Sequence, residues 1–188
     1  MEIILASQSP RRIQLLEWAE VPFKIIINET DENYPPGLST KDIAKHIAKN
    51  KALAIKHLHG DDTAILAADT IVVLNNEIIG KPDDKKDAID ILTKLSGNKH
   101  LVITGVCILY NNQEMTFADT TEVEFHELTA EQISFYIDAY KPYDKAGAYA
   151  IQEWIGVIGI KSIMGDFYNV MGLPVSRVVQ ELNRLQLQ

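Results

Sequence analysis

The chain has 188 residues, 46% of them apolar, a formal net charge of −8 and one cysteine. That length and apolar fraction suit one domain, or one domain with a small lobe, built on a substantial core. The acidic balance opposes direct binding to nucleic acid or an anionic membrane, although a local basic pocket can still hold an anion, and a lone cysteine excludes an internal disulfide framework.

Residues 2–6 read as a strand. Ser9 is placed as an N-cap and Pro10 as a first helical residue, which predicts a helix from about Pro10 to Ala19. "FKIIIN" (23–28) reads as a second strand and "ETDENYPPG" after it as a mobile, site-bordering loop. Ser39 and Asp42 open a long helix to about Leu58. Its apolar stripe is Ala44, Ile47, Ala48, Ala54, Ile55 and Leu58. Two strands around an Asn75-Asn76 turn follow, after a solvated turn at Asp61-Asp62. A helix is expected from about Asp84 to Leu95, with Gly97 just past its end. Two long strands then flank a second Asn-Asn turn, with Cys107 as a small core residue on one of them. Thr129 and Gln132 cap a helix through Tyr140, "YDKAGAYAIQEW" (143–154) is loop-like, and "IGVIGIKSI" (155–163) reads as a strand. A last helix runs from Pro174 to about Leu185, with Val175, Val178, Val179 and Leu182 on one face. Interleaved strands and helices with two hairpins predict an α/β protein with a mixed sheet and flanking helices. No apolar run reaches the ~18 residues of a membrane span. "MEIILASQSPRR" lacks the basic start and long apolar centre of a signal peptide, so a cytoplasmic location is expected.

Charges at positions where the pattern expects apolar residues carry the functional information. Lys51 lies four residues from both Ile47 and Ile55, on their helix face. It is either a lysine whose ammonium snorkels to water or one held to meet an anion. Asp69 interrupts "AILAA" and "IVVL", and a carboxylate there needs a partner, a metal or a changed protonation state. A structural aspartate bonding a nearby backbone turn is the alternative. Lys81 ends the return strand of the same hairpin, which allows it to lie near Asp69, although an exposed loop lysine reads the same way. "ASQSPRR" (6–12) places Arg11 and Arg12 at a helix start, where the dipole already favours anions. Either the two are solvated, or a multiply charged anion such as a phosphate group binds there. The five histidines show no ligand spacing, and Ser7 and Ser9 lack a triad partner set.

These residues fall within a wider pattern. "LASQSPRR", "TDE", "KNKA", "AADTIV", "GKP", "LSG", "TGV", "DKAGAYAIQ" and "VMGLP" occur in order along essentially the whole chain. Together they resemble the Maf family of nucleoside triphosphate pyrophosphatases. The resemblance implies a single domain over 1–188 of the Maf/inosine triphosphatase-like kind, with two lobes around a central cleft, often dimeric. It implies hydrolysis of a nucleoside triphosphate to the monophosphate and pyrophosphate with a divalent metal cation, Mg²⁺ or Mn²⁺. Carried over by motif, Asp69 is the general base. Arg11, Thr70 and Gln152 fall where base specificity is set, and Ser7, Arg12, Glu32, Lys51 and Lys81 match other site positions. That combination is similar to the dTTP/UTP pyrophosphatase branch, which disposes of surplus or unwanted nucleotides.

The chemistry of the residues agrees with that expectation. Arg11, Arg12, Lys51, Lys81 and one Mg²⁺ can offset the charge of a triphosphate and of a leaving pyrophosphate. Asp69 and Glu32 are hard oxygen ligands. The Gln152 amide offers one donor and one acceptor to the O4 and N3–H of uracil or thymine. Cytosine reverses both, and the amide can flip, so something must hold it. Two alternatives stay open at this level: a pyrophosphatase for a modified nucleotide such as a methylated guanosine triphosphate, and a regulatory nucleotide-binding protein of cell division.

Overall fold

The computed structural model describes residues 2–60 and 62–186; Asp61 of the expected Asp61-Asp62 turn lies outside them. The elements in chain order are β1 (Glu2–Leu5), α1 (Pro10–Trp18), β2 (Lys24–Ile25), α2 (Thr40–Lys56), β3 (Thr63–Leu74), β4 (Glu77–Ile79), α3 (Lys85–Leu95), β5 (Lys99–Tyr110), β6 (Gln113–Phe125), α4 (Ala130–Tyr140), a 3-10 turn (Ala146–Ala148), α5 (Trp154–Gly159), β7 (Ile160–Met164), α6 (Phe167–Met171) and α7 (Val175–Gln186). Among the described residues the sheet has seven strands in the order β2-β1-β3-β5-β6-β7, with β4 on β3. β1 is parallel to β2 and β3, whereas β3–β4 and β6–β7 are antiparallel, so the sheet is mixed as expected. Both hairpins turn on asparagine pairs at positive φ, 50° and 68° at Asn75 and Asn76, 51° and 60° at Asn111 and Asn112. Asparagine tolerates that left-handed region, and two such residues match the twist of the flanking strands. Among the described residues no helix is long and apolar enough to cross a membrane.

The chain divides into two compact units. The first comprises residues 1–70, 104–119 and 172–188. Its core joins Ile4 and Ala6, Ala48, Ala52 and Ile55 of α2, Ile65 and Ala67 of β3, and Cys107 and Leu109 of β5. Burial pushes the Cys107 thiol up to about 12, which makes it an inert core residue. The buried face of α2 is Ile43, Ala44, Ile47, Ala48, Ala52 and Ile55. Leu58, expected on that stripe, lies beyond the helix end and is 57% exposed. The strand expected over 23–28 is the sheet edge and pairs with β1 at Lys24 and Ile25, opposite Ile4 and Leu5, where β1 ends. Ile26 still packs on the core, and its N–H donates to the Leu5 carbonyl. The Ser39 hydroxyl accepts from the Asp42 N–H and donates to the Asp42 carboxylate. Ser9 holds the cap position of α1 without a side-chain capping bond.

The second unit comprises residues 71–103 and 120–171. Here α3 packs against α4 and the 3-10 turn, and α4 opens with the full Thr129/Gln132 capping box. The strand expected over 155–163 is half helix: α5 ends at Gly159 and β7 begins at Ile160. A short, continuously apolar run carries no period that separates a strand from a buried helical turn. Gly156 decides the matter locally, since a Cβ there would stand 1.7 Å from the Ile151 carbonyl oxygen. Without one, the Gly156 N–H reaches the Glu153 carbonyl and the helix starts.

A buried aromatic group anchors this unit. The rings of His100, Phe125 and Tyr149 pack edge-to-face or tilted at centroid distances of 5.0–5.5 Å. His100 Nε2 bonds the Tyr149 hydroxyl at 2.7 Å, and among the described residues Nδ1 has no partner. Burial lowers the His100 pKa from 6.5 to about 4. Above pH 6.5 the ring is neutral whether folded or unfolded; between 6.5 and 4 the unfolded chain takes up a proton that the folded one refuses. Stability is therefore lost as the pH falls through that window, by roughly 3 kcal/mol at about 1.4 per unit. Urea unfolding at pH 7 and pH 4 should show the parent losing about that much more than His100→Leu; equal losses would refute the assignment.

Candidate active site

The first unit brings six of the expected residues into two hydrogen-bonded groups and sets Arg11 beside them. Both groups grow from consecutive residues of β3. Side chains of a strand alternate between faces, so Asp69 and Thr70 can serve different partners.

Asp69 is 9% exposed. Its Oδ1 accepts from Lys51 Nζ at 2.7 Å, and the same ammonium meets Glu32 Oε1 at 2.7 Å. The helix periodicity accounts for Lys51: with Ile47 and Ile55 buried on α2, its stem lies over the sheet while its ammonium reaches Asp69. The Lys51 ammonium does not simply snorkel to water: two carboxylates of the chain itself hold it. Asp69 has the partner its position demanded. Glu32 comes from the irregular acidic segment between β2 and α2, its side chain 55% exposed, and so ties that segment to the helix.

Thr70 belongs to the second group. Arg12 donates from Nη2 to Thr70 Oγ1 at 3.0 Å, from Nη1 to Ser7 Oγ at 3.2 Å, and from Nε to the Gly172 carbonyl at 2.7 Å. Thr70 Oγ1 also shares a 2.9 Å hydrogen bond with Thr104 Oγ1, and Thr104 is fully buried. The Ser7 hydroxyl accepts in addition from the Ser9 N–H at 3.2 Å, which fixes the turn that leads from β1 into α1. Arg177 of α7 pairs with Asp119 and lies 4.1 Å over the Phe117 ring, anchoring the helix that follows Gly172.

This arrangement answers part of the question that "ASQSPRR" raises. A guanidinium has five N–H groups, and Arg12 commits three of them to Ser7, Thr70 and Gly172. It is a tie as much as a free cation. Burial lowers its pKa, the Asp69 and Glu32 charges oppose that, and Arg11 adds to it. Arg11, Asp69 and Glu32 thus all lie within electrostatic reach of Arg12. Arg11 is half-buried on α1.

Lys81 and Gln152 belong to the second unit, and both are exposed. Lys81 follows β4, and Gln152 lies between the 3-10 turn and α5. Sequence reasoning passed over Thr104, Gly172 and Lys145. Thr104 and Gly172 stand inside the quoted "TGV" and "VMGLP", and the signal for Lys145 was a lysine in the otherwise small and aromatic run "KAGAYA". Lys145 is 8% exposed.

Glu32 and Asp69 are the residues that fit a divalent cation. They already converge on one positive group, the Lys51 ammonium, and both present hard carboxylate oxygens. Among the described residues no three His, Cys, Asp or Glu side chains gather to cage a metal. Such a donor set suits Mg²⁺ bound by one or two carboxylates and completed by water and phosphate oxygens.

The dTTP/UTP pyrophosphatase of Cytophaga hutchinsonii is 52% identical over 184 residues, covering 98% of this chain and 84% of its own. That of Parabacteroides distasonis is 46% identical, covering 96% of this chain and 94% of its own. Among solved structures, the Staphylococcus aureus Ham1 protein aligns with 68% of this chain and 73% of its own at TM-score 0.49 and 17% identity. The profile described as Maf-like protein matches residues 2–185, nearly the full length, and the chain belongs to the Maf family.

Proposed function

We propose that this protein hydrolyses UTP and dTTP to the nucleoside monophosphate and pyrophosphate. The reading is supported by relatives of that name at 42–52% identity over nearly the whole chain. The observation that carries it to particular residues is the meeting of Asp69 and Glu32 at Lys51. Water attacks the α-phosphorus, the bond from that phosphorus to the bridging oxygen breaks, and pyrophosphate leaves. Lys51 engages Asp69 Oδ1, leaving Oδ2 to take the proton of the attacking water. Arg11, Lys51, Lys81 and the N–H groups of Arg12 not used internally are assigned to the phosphate chain. Ser7 and Thr70 hold Arg12 in place for that contact. Glu32 and Asp69 would hold a divalent cation, which would supply neutralisation of the phosphate charge. Gln152 reads the O4 and N3–H edge of the pyrimidine, with Arg11 and Thr70 contributing to base choice. The cytoplasm, where nucleoside triphosphates are made and used, is the compartment this assigns.

The test is pyrophosphate release from a panel of triphosphates with Mg²⁺. UTP and dTTP should both be cleaved, with kcat/KM within about 100-fold of each other, because one methyl group in an apolar pocket discriminates no further. Cleavage of a methylated guanosine triphosphate with UTP and dTTP left intact would replace this reading with the modified-nucleotide one.

A further inference from the structure

Gln152 stands on a turn that is gripped at both ends by one buried hydroxyl. The Glu153 N–H donates to the Ala150 carbonyl at 3.1 Å, closing a four-residue turn with Ile151 and Gln152 at its centre. Ile151 is 4% exposed and points inward, while Gln152 is exposed. Tyr136 of α4 is fully buried. Its hydroxyl oxygen accepts from the Ala150 N–H at 3.1 Å and its hydrogen is donated to Glu153 Oε2. The other Glu153 oxygen lies 3.7 Å from Lys145 Nζ, and Lys145 also donates to Asp144 Oδ1 at 2.7 Å. Beyond the turn, the Glu153 carbonyl accepts from the Gly156 N–H at 2.9 Å, locking the exit into α5.

We propose that Tyr136, Glu153 and Lys145 form a positioning network that presents the Gln152 amide in one orientation and thereby sets the choice of base. The proposal deepens the pyrimidine reading above and rests on it. A buried tyrosine needs one partner for its hydroxyl; this one has two, on either side of the same two residues. A buried lysine needs a counter-charge; Lys145 takes it from Asp144 at 2.7 Å and, at 3.7 Å, from the half-buried Glu153 carboxylate that Tyr136 binds. An amide that is free to rotate serves uracil and cytosine equally, because turning it over exchanges donor and acceptor. A backbone held on both sides of Gln152 limits the poses from which its side chain starts. The three residues act through Gln152 and touch no substrate.

Tyr136→Phe removes the hydroxyl and keeps the ring. Steady-state kinetics with UTP and CTP should show the KM for UTP raised about tenfold with kcat within about threefold. The UTP-over-CTP preference in kcat/KM should fall by about tenfold. In a Gln152→Ala background, the same change should add less than about twofold, because the network then has nothing to position. A purely structural tyrosine would lower the melting temperature and leave the preference alone, and that result overturns the proposal. Glu153→Gln keeps an acceptor for Tyr136 and cancels the attraction to Lys145, so it carries the same test if Tyr136→Phe does not fold. If Gln152→Ala itself leaves the preference unchanged, the base-reading role of Gln152 falls and the proposal with it. If Gln152→Ala narrows the preference while Tyr136→Phe and Glu153→Gln do not, the positioning network alone is wrong.

Discussion

Asp69→Asn should reduce pyrophosphate release from UTP by about 10²–10⁴-fold while the protein stays folded and still binds nucleotide. Asparagine keeps the shape of the side chain, and its amide oxygen can still accept from Lys51, which retains Glu32 as its second partner. The loss falls on the chemical step, because an amide cannot take a proton from water. Arg11, Arg12, Lys51 and Lys81 all remain for the phosphates, and Glu32 keeps one carboxylate for a divalent cation. Affinity for a non-hydrolysable α,β-imido analogue of UTP should therefore change by less than about tenfold. The expected signature is a fall in kcat with KM and melting temperature nearly unmoved. Turnover within about threefold of the parent would remove Asp69 from the reaction. Loss of analogue binding together with turnover would instead make it a residue of the binding site alone.

The pattern of what the sequence discloses follows from how far each signal reaches. Asp69 and Lys51 are legible because each breaks a local apolar rhythm, and burial of a charge in such a place demands a partner. Their pairing at 2.7 Å follows. The hairpins are legible because paired asparagines at positive φ have few other uses. Arg12 is legible as a cation out of place on a helix start, but its three partners are not. Ser7 is near in sequence, whereas Thr70 and Gly172 are brought to it only by β3 and the chain entering α7. The Tyr136 grip on the turn around Gln152 is silent in sequence for the same reason: nothing local marks a tyrosine on an amphipathic helix as a hydrogen-bond hub. Run length misled the reading at both short elements. "FKIIIN" has strand composition, but its neighbour β1 ends at Leu5, opposite Ile25, and the pairing ends with it. "IGVIGIKSI" has no polar residue until Lys161 to set a period, and the steric demand at Gly156 comes from a carbonyl five residues earlier.

Gly105→Ala should destabilise the protein by about 3 kcal/mol or more and take activity with it. Gly105 lies on β5, under the first turns of α2. A Cβ there would stand 2.2 Å from the Ala44 carbonyl carbon, 2.3 Å from its oxygen and 2.4 Å from the Lys45 nitrogen. These are backbone atoms of a helix whose Ala44, Ile47, Ala48, Ala52 and Ile55 are all buried, so no side chain can rotate away to make room. Either the helix lifts or the strand bends, and both open gaps in the core around Ala48 and Ala52. For a chain of this length, 3 kcal/mol lowers the melting temperature by roughly 6–12 °C. The same displacement reaches the reaction, because α2 carries Lys51. A helix moved by about an ångström breaks a 2.7 Å bond to Asp69, and misplacement on that scale costs about 10²-fold in rate. Gly80→Ala is the control for stability, since a Cβ there meets nothing within 4 Å and should change stability by less than about 1 kcal/mol. Gly105→Ala as stable as Gly80→Ala would mean that α2 does not rest on β5 at this point, and the placement of Lys51 beside Asp69 would lose its structural cause.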